Sequence, residues 1–225
     1  MSSYDDLAVR QQARFETYAT AVAGERALAS AAGLQPGSAK VFFRAREFKR
    51  ALHEDTVADL TTYYREHLGS ADELFQDRGM TRLAFAALRL DDIANQVMTK
   101  SNRDLAGKAS LTSILRGGAG AVGLLAQQRL VQPAFEVKDT SGRHWDASKL
   151  VRIVVRDFAY QTYIDSQFDA ALADGASEVF LEHADADHEL QGASIDLSAA
   201  DWIDQRDDLF HVNSNLTIRY GSVPA

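Results

Sequence analysis

The chain has 225 residues, of which 46% are hydrophobic and 25% charged, ordinary globular values that exclude wholesale disorder, collagen and coiled-coil fibre. At this length folding buries roughly 70% of the surface that an unfolded chain exposes, so a core forms without staples. Cysteine is absent, which excludes disulfides, a thiolate nucleophile and any Cys-ligated zinc or iron–sulfur centre.

The net charge of −8 is unevenly spread. Residues 1–132 carry 17 Lys and Arg against 15 Asp and Glu, whereas residues 133–225 carry 7 against 17, a balance of −10. The two parts are therefore expected to face different electrostatic surroundings. No run approaches the roughly 18 apolar residues that would span a bilayer, and the N-terminal MSSYDDLAVRQQARF lacks the apolar stretch of a signal segment. No membrane association is expected.

In chain order, Leu7, Phe15, Tyr18, Val22 and Leu28 recur at mostly three- and four-residue spacing, predicting a long helix from Asp5 to about Ala32 that stops at Gly33. After Pro36, residues 40–52 form a basic amphipathic helix. Val41, Phe42, Ala45, Phe48 and Leu52 line one face as a candidate core, with Lys40, Arg44, Arg46, Lys49 and Arg50 around it. Two more helices are predicted, at 55–68 and 80–100. The glycines at 117, 118, 120 and 123 interrupt residues 104–132, predicting two short helices with a joint.

Beyond Pro133 the pattern changes. FEVKD alternates like a strand and TSGR supplies a turn, and the run 147–172 gives the strongest helix signal, apolar on nearly all sides in its first half, with its N-terminal part buried. Strands are predicted at 177–183, 194–198 (an edge strand) and 215–220 (a closing strand). The fold class is thus α+β: a helical domain over 1–133 followed by a small mixed α/β domain over 134–225.

Several patterns raise chemistry. Gly118-Ala119-Gly120-Ala121-Val122-Gly123 matches G-x-G-x-x-G, but a polar, helix-like segment precedes it in place of a buried strand, so it reads as a hinge or close helix contact and not as a dinucleotide site. His183, His188 and His211, with Glu182, Asp185, Asp187 and Glu189, are residue types that ligate zinc, manganese or iron(II), or share acid–base work. The same loop also reads as solvated turn residues. The basic helix suits phosphate or an acidic protein surface, and equally a plain solvated face.

The order of features in the C-terminal part carries a resemblance. Ser141-Gly142-Arg143 makes a turn; Val155-Arg156-Asp157 lies within the long helix. His183 ends a strand, His188 precedes Gly192, and His211-Val212-Asn213-Ser214-Asn215 leads into the last strand. This order resembles the C-terminal domain of tailed-phage minor capsid proteins, the Mu-F-like head morphogenesis and minor capsid protein 2 group, over about residues 105–225. The family more usually has Arg-Thr in the helix and His-Pro-Asn-Cys-Arg at the end; here Asp157, Val212, Ser214 and Asn215 depart from it, so no role of the family cysteine carries over.

The resemblance implies Arg156, His183, His188, His211 and Asn213 as motif residues. It also implies a virion structural protein, present in multiple copies inside the capsid near the portal vertex and in the host cytoplasm during assembly. Its partners would be the portal protein, the major capsid protein or both, with packaged double-stranded DNA nearby. Lys40, Arg44, Arg46, Lys49 and Arg50 are the candidate partner-binding residues. Some relatives carry an ADP-ribosyltransferase-like fold, but Glu178 and Glu182 would lie about 13 Å apart along a strand at roughly 3.3 Å per residue, too far to share one substrate atom. A noncatalytic protein without cofactor or metal is expected. The rival reading is a metal-dependent hydrolase or degenerate ADP-ribosyltransferase using the C-terminal His/Asp cluster.

Overall fold

The computed structural model describes residues 4–31, 39–107, 136–139, 141–183, 185, 187–211 and 214–221; over 25–31, 39–45 and 99–107 it describes the backbone alone. Helices dominate the first half, and a small sheet with two helices follows, as the α+β expectation requires. Residues 108–135, which include the predicted glycine joint and the G-x-G-x-x-G match, lie outside the described set.

Helix α1 spans Tyr4–Ala31, with Asp5 and Asp6 in its first turn where the helix dipole favours acids. Helix α2 spans Ala39–Leu68 without a break. The predicted helices 40–52 and 55–68 are therefore one. His53-Glu54-Asp55 contains no breaker, and the Arg50–Glu54 pair at 3.6 Å bridges the expected gap with ordinary i,i+4 geometry. Helix α3 spans Glu73–Gly107 and starts earlier than predicted, because Asp72 caps it: its carboxylate accepts the Leu74 amide at 3.0 Å. Gly79 is no stop. A side chain there would meet Leu68 and Tyr64 of α2 at 2.7 Å, so the glycine allows the two helices to approach.

Strands β1 (Glu136–Lys138) and β2 (His144–Asp146) pair antiparallel, with Val137 opposite Trp145. Asp139 builds the turn between them. One carboxylate oxygen accepts the amides of Ser141 and Arg143, both at 2.9 Å, and the other accepts Trp145 Nε1 at 2.8 Å and Arg143 Nε at 3.1 Å. Gly142 completes the turn at φ +80°. These bonds, the Trp145 indole first and then Arg143, hold the Asp139 carboxyl down at about 2.

Helix α4 (Ala147–Ala173) follows directly and ends at Gly175, φ +74°, where Ala176 N–H reaches Ala171 O at 2.9 Å. Its N-terminal part buries Ala147, Leu150, Val151 and Val155 as predicted, but burial is most continuous in the centre. Arg152 and Ile153 are exposed, while Phe158 to Thr162, Ile164 and Asp165 are all buried. The remaining elements are β3 (Glu178–His183), β4 (Ser194–Asp196), α5 (Trp202–Leu209) and β5 (Leu216–Arg219). The sheet order is β4-β3-β5, all antiparallel, which leaves β4 on an edge as expected.

The chain forms two compact units that interleave along the sequence: residues 1–7, 59–86 and 155–225, and residues 8–58 and 87–154. This partition differs from a single division at residue 133, since the long helices supply residues to both units. The first unit centres on Leu60, Tyr63, Phe75, Phe158, Tyr160, Phe168, Leu181 and Phe210, each at most 3% exposed. The second centres on Phe15, Val22, Ile93, Val97, Val137 and Val151. Within it, Gln96 binds the edge of β1 through both its amide oxygen, which accepts Lys138 N–H at 2.9 Å, and its amide nitrogen, which donates to Lys138 O at 3.0 Å.

Candidate functional site

The motif residues that the structure describes gather in the first unit. Half-buried Arg156 of α4 donates from Nε to Asp5 Oδ1 at 3.1 Å and from Nη2 to Asn215 Oδ1 at 3.0 Å. Its guanidinium lies 5.7 Å from the Tyr4 ring centroid, a cation–π distance. Asn215 directly precedes β5, whose first residue, Leu216, pairs with His183 at the end of β3. Helix α4 is also fixed to that strand through Tyr160, whose hydroxyl donates to Leu216 O at 2.8 Å. Residues from the first turn of α1 to the start of β5 thus meet around Arg156 and Tyr160.

His183 and His188 stack with ring centroids 4.0 Å apart. Each ring accepts a backbone N–H at Nδ1, from Asp185 at 3.0 Å and Leu190 at 3.2 Å respectively. That places the proton of each neutral ring on Nε2. His211 is exposed, and Asn213 lies outside the described residues. Among the described residues no group of three or more histidines and acids is placed to hold a metal ion.

The densest charge in this unit was not legible as a site in the sequence. Asp165 of α4, fully buried, faces three arginines from two other helices. Arg82 donates to its Oδ2, Arg78 Nε lies 3.7 Å from the same oxygen, and Arg206 Nη2 lies 2.7 Å from Oδ1 in an ion contact without hydrogen-bond alignment. Asp207 extends the network, taking Arg78 and, at 2.9 Å, Arg206 Nη1.

The ionisation of the cluster follows its burial. Burial pushes the Arg206 guanidinium below its ordinary value against the pull of Asp165. Asp157, about two turns nearer the start of α4, is raised by burial despite Arg82, Arg206 and Arg156 nearby. Asp207 is partly desolvated, but hydrogen bonding and attraction from Arg78, then Arg206, hold its carboxyl below the usual range. Each cation and anion of the network is engaged with another, so the cluster resembles a structural brace more than a reactive centre. One sequence signal existed: an aspartate amid Tyr163, Ile164 and Phe168 on a helix buried nearly all round needs a cation.

The candidate partner-binding residues on α2 divide. Lys40 and Arg44 have no described side chains, and Arg46 and Arg50 are exposed. Lys49 is drawn inward instead, its ammonium 2.7 Å from Asp91 of α3, at the rim of a small apolar cavity lined by Phe15, Leu52, Val57, Leu90 and Val151. At the cavity wall the buried pair Gln11 and Thr56 bond to each other at 3.0 Å. Phe48, expected in the core, is 36% exposed, because Lys49 and not Phe48 turns toward α3.

No family model, curated protein or solved structure matches this chain. Among the described residues no helix is long and apolar enough to cross a membrane.

Proposed function

We propose that this chain is a noncatalytic minor capsid protein of a tailed bacteriophage, acting in head morphogenesis. Its helical part docks on the portal or the inner capsid wall, and its acidic C-terminal part faces packaged double-stranded DNA. The observation that carries this reading is the Arg156 bridge. The motif arginine is spent on Asp5 and on Asn215, the residue before β5, and so ties α4 to the strand that pairs with β3 where His183 ends it. That is what a structural motif requires, and it leaves these groups engaged with one another.

Charge supports the same reading. The C-terminal 93 residues carry −10, which repels phosphate and keeps a hydrated layer beside DNA, while Arg46 and Arg50, the latter beside Glu54, lie on the exposed face of α2. The test is to purify heads of the virus that encodes the chain, with the gene intact and deleted. The expected result is several copies per head, located by imaging at the portal vertex, and defective heads without it. Absence of the chain from purified heads, or normal packaging and infectivity in the deletion, overturns the proposal.

A further inference from the structure

Helix α5 attaches to its neighbours in a way no other described helix does. Its only buried residue is an arginine, Arg206, 2% exposed; its first turn has no side-chain cap, and its apolar residues Trp202, Ile203 and Leu209 are half-buried. The cation is held by Asp165, by Asp207 and by Gln161 O at 3.3 Å. Among its apolar residues Trp202 stacks its ring on Phe168 at 5.6 Å and approaches Phe75 at 6.3 Å, and the helix also touches β4.

The contact between α4 and α5 is also incompletely bonded. Among the described residues five buried side-chain polar atoms lack a hydrogen-bond partner. Four of them are Gln161 Oε1, Thr162 Oγ1 and Asp165 Oδ1, on one face of α4, and Nε of the arginine that meets it. Closing this contact takes the Arg206 and Asp165 ions out of water, which carries a desolvation cost. Separation of α5 would rehydrate Arg206 and Asp165, returning the desolvation that burial of the ions costs.

On both sides of α5 the chain is anchored by ordinary apolar burial. Ile195 and Leu197 precede it, and Phe210 follows, packed edge-on to Phe168 at 5.8 Å with its carbonyl accepting Gln161 Nε2. Motion would thus be confined to the segment between Leu197 and Phe210. We propose that α5 is a releasable latch, an element that opens from α4 as a unit while the β4-β3-β5 sheet stays formed, uncovering Asp165, Arg78, Arg82 and the ring of Phe168. This inference is independent of the capsid reading.

Amide hydrogen exchange on the full chain tests it, comparing amides 205–209 with those of β3 and β5. A latch gives α5 amides at least tenfold less protection than the strands, nearly uniform along the helix rather than graded from its ends. Trp202→Ala, which removes the main apolar contact, should lower α5 protection a further tenfold or more and leave β3 and β5 unchanged. Equal protection of α5 and the strands in the wild type overturns the proposal. So does a Trp202→Ala variant in which both fall together.

Discussion

Replacement of Asp165 by alanine tests the brace most directly. The carboxylate is fully buried and faces Arg78, Arg82 and Arg206. The side chains of Arg78 and Arg82 are 21% and 22% exposed and can turn toward water, whereas that of Arg206 is 3% exposed and keeps only Asp207, itself 47% exposed, as a close counter-ion. Breaking one partner of a buried pair costs about 3–5 kcal/mol. Since α5 can swing away and hydrate Arg206, the low end applies, about 3 kcal/mol. With a urea slope of about 2 kcal/mol per molar, the unfolding midpoint should fall by roughly 1.5 M. Converting Arg206 to Met in the same chain removes the stranded cation and should recover at least half of that loss. A single variant that loses less than about 1 kcal/mol with α5 exchange unchanged, or a double variant with no recovery, would refute the account of Asp165 as the counter-ion that holds α5 in place.

Other outcomes follow from particular contacts. Gly79→Ala, which in an open helix gains up to about 1 kcal/mol, should lose about 1–3 kcal/mol here, because the new methyl meets Leu68 and Tyr64 at 2.7 Å; thermal unfolding decides the sign. The Trp145 indole N–H resonance should titrate with a midpoint near pH 2, where Asp139 loses its charge and with it the bonds that order the turn. The folded carboxyl lies below its ordinary 3.8, so this contribution is present at neutral pH and lost as pH falls through the folded value; a midpoint near 4 would contradict the turn geometry. Asp157 is shifted the other way by burial, so its ionisation opposes folding as pH rises. Asp157→Asn should therefore raise Tm at pH 7 and leave it unchanged at pH 3, and equal shifts at both would exclude the argument. Tyr160→Phe removes the buried bond to Leu216 O and should cost about 1 kcal/mol in denaturant unfolding.

Much of the secondary structure was written in local pattern. Helical spacing of apolar residues marked α1 and α4 to within one or two residues of their ends, and short alternating runs marked β1, β3, β4 and β5. Those signals are local because backbone geometry itself imposes periods of 3.6 and 2 on residues that share a face. What the pattern missed has a common cause. Helix α5, WIDQRDDL, carries almost no apolar stripe, and its hold on the protein comes from an arginine that finds its carboxylate 41 residues away. The start of α3 was placed seven residues late, at residue 80, because the role of Gly79 shows only in a contact with Leu68 and Tyr64 of another helix.

The α+β character and the absence of thiol chemistry needed only the amino-acid sequence, since composition and periodicity are properties of the chain alone. Which charges are buried, which histidine rings stack, and that Arg156 meets Asn215 were decided by the tertiary structure. A side chain's burial, and with it the strength of an ion pair, depends on how completely distant segments exclude water, and no local window of sequence contains that information.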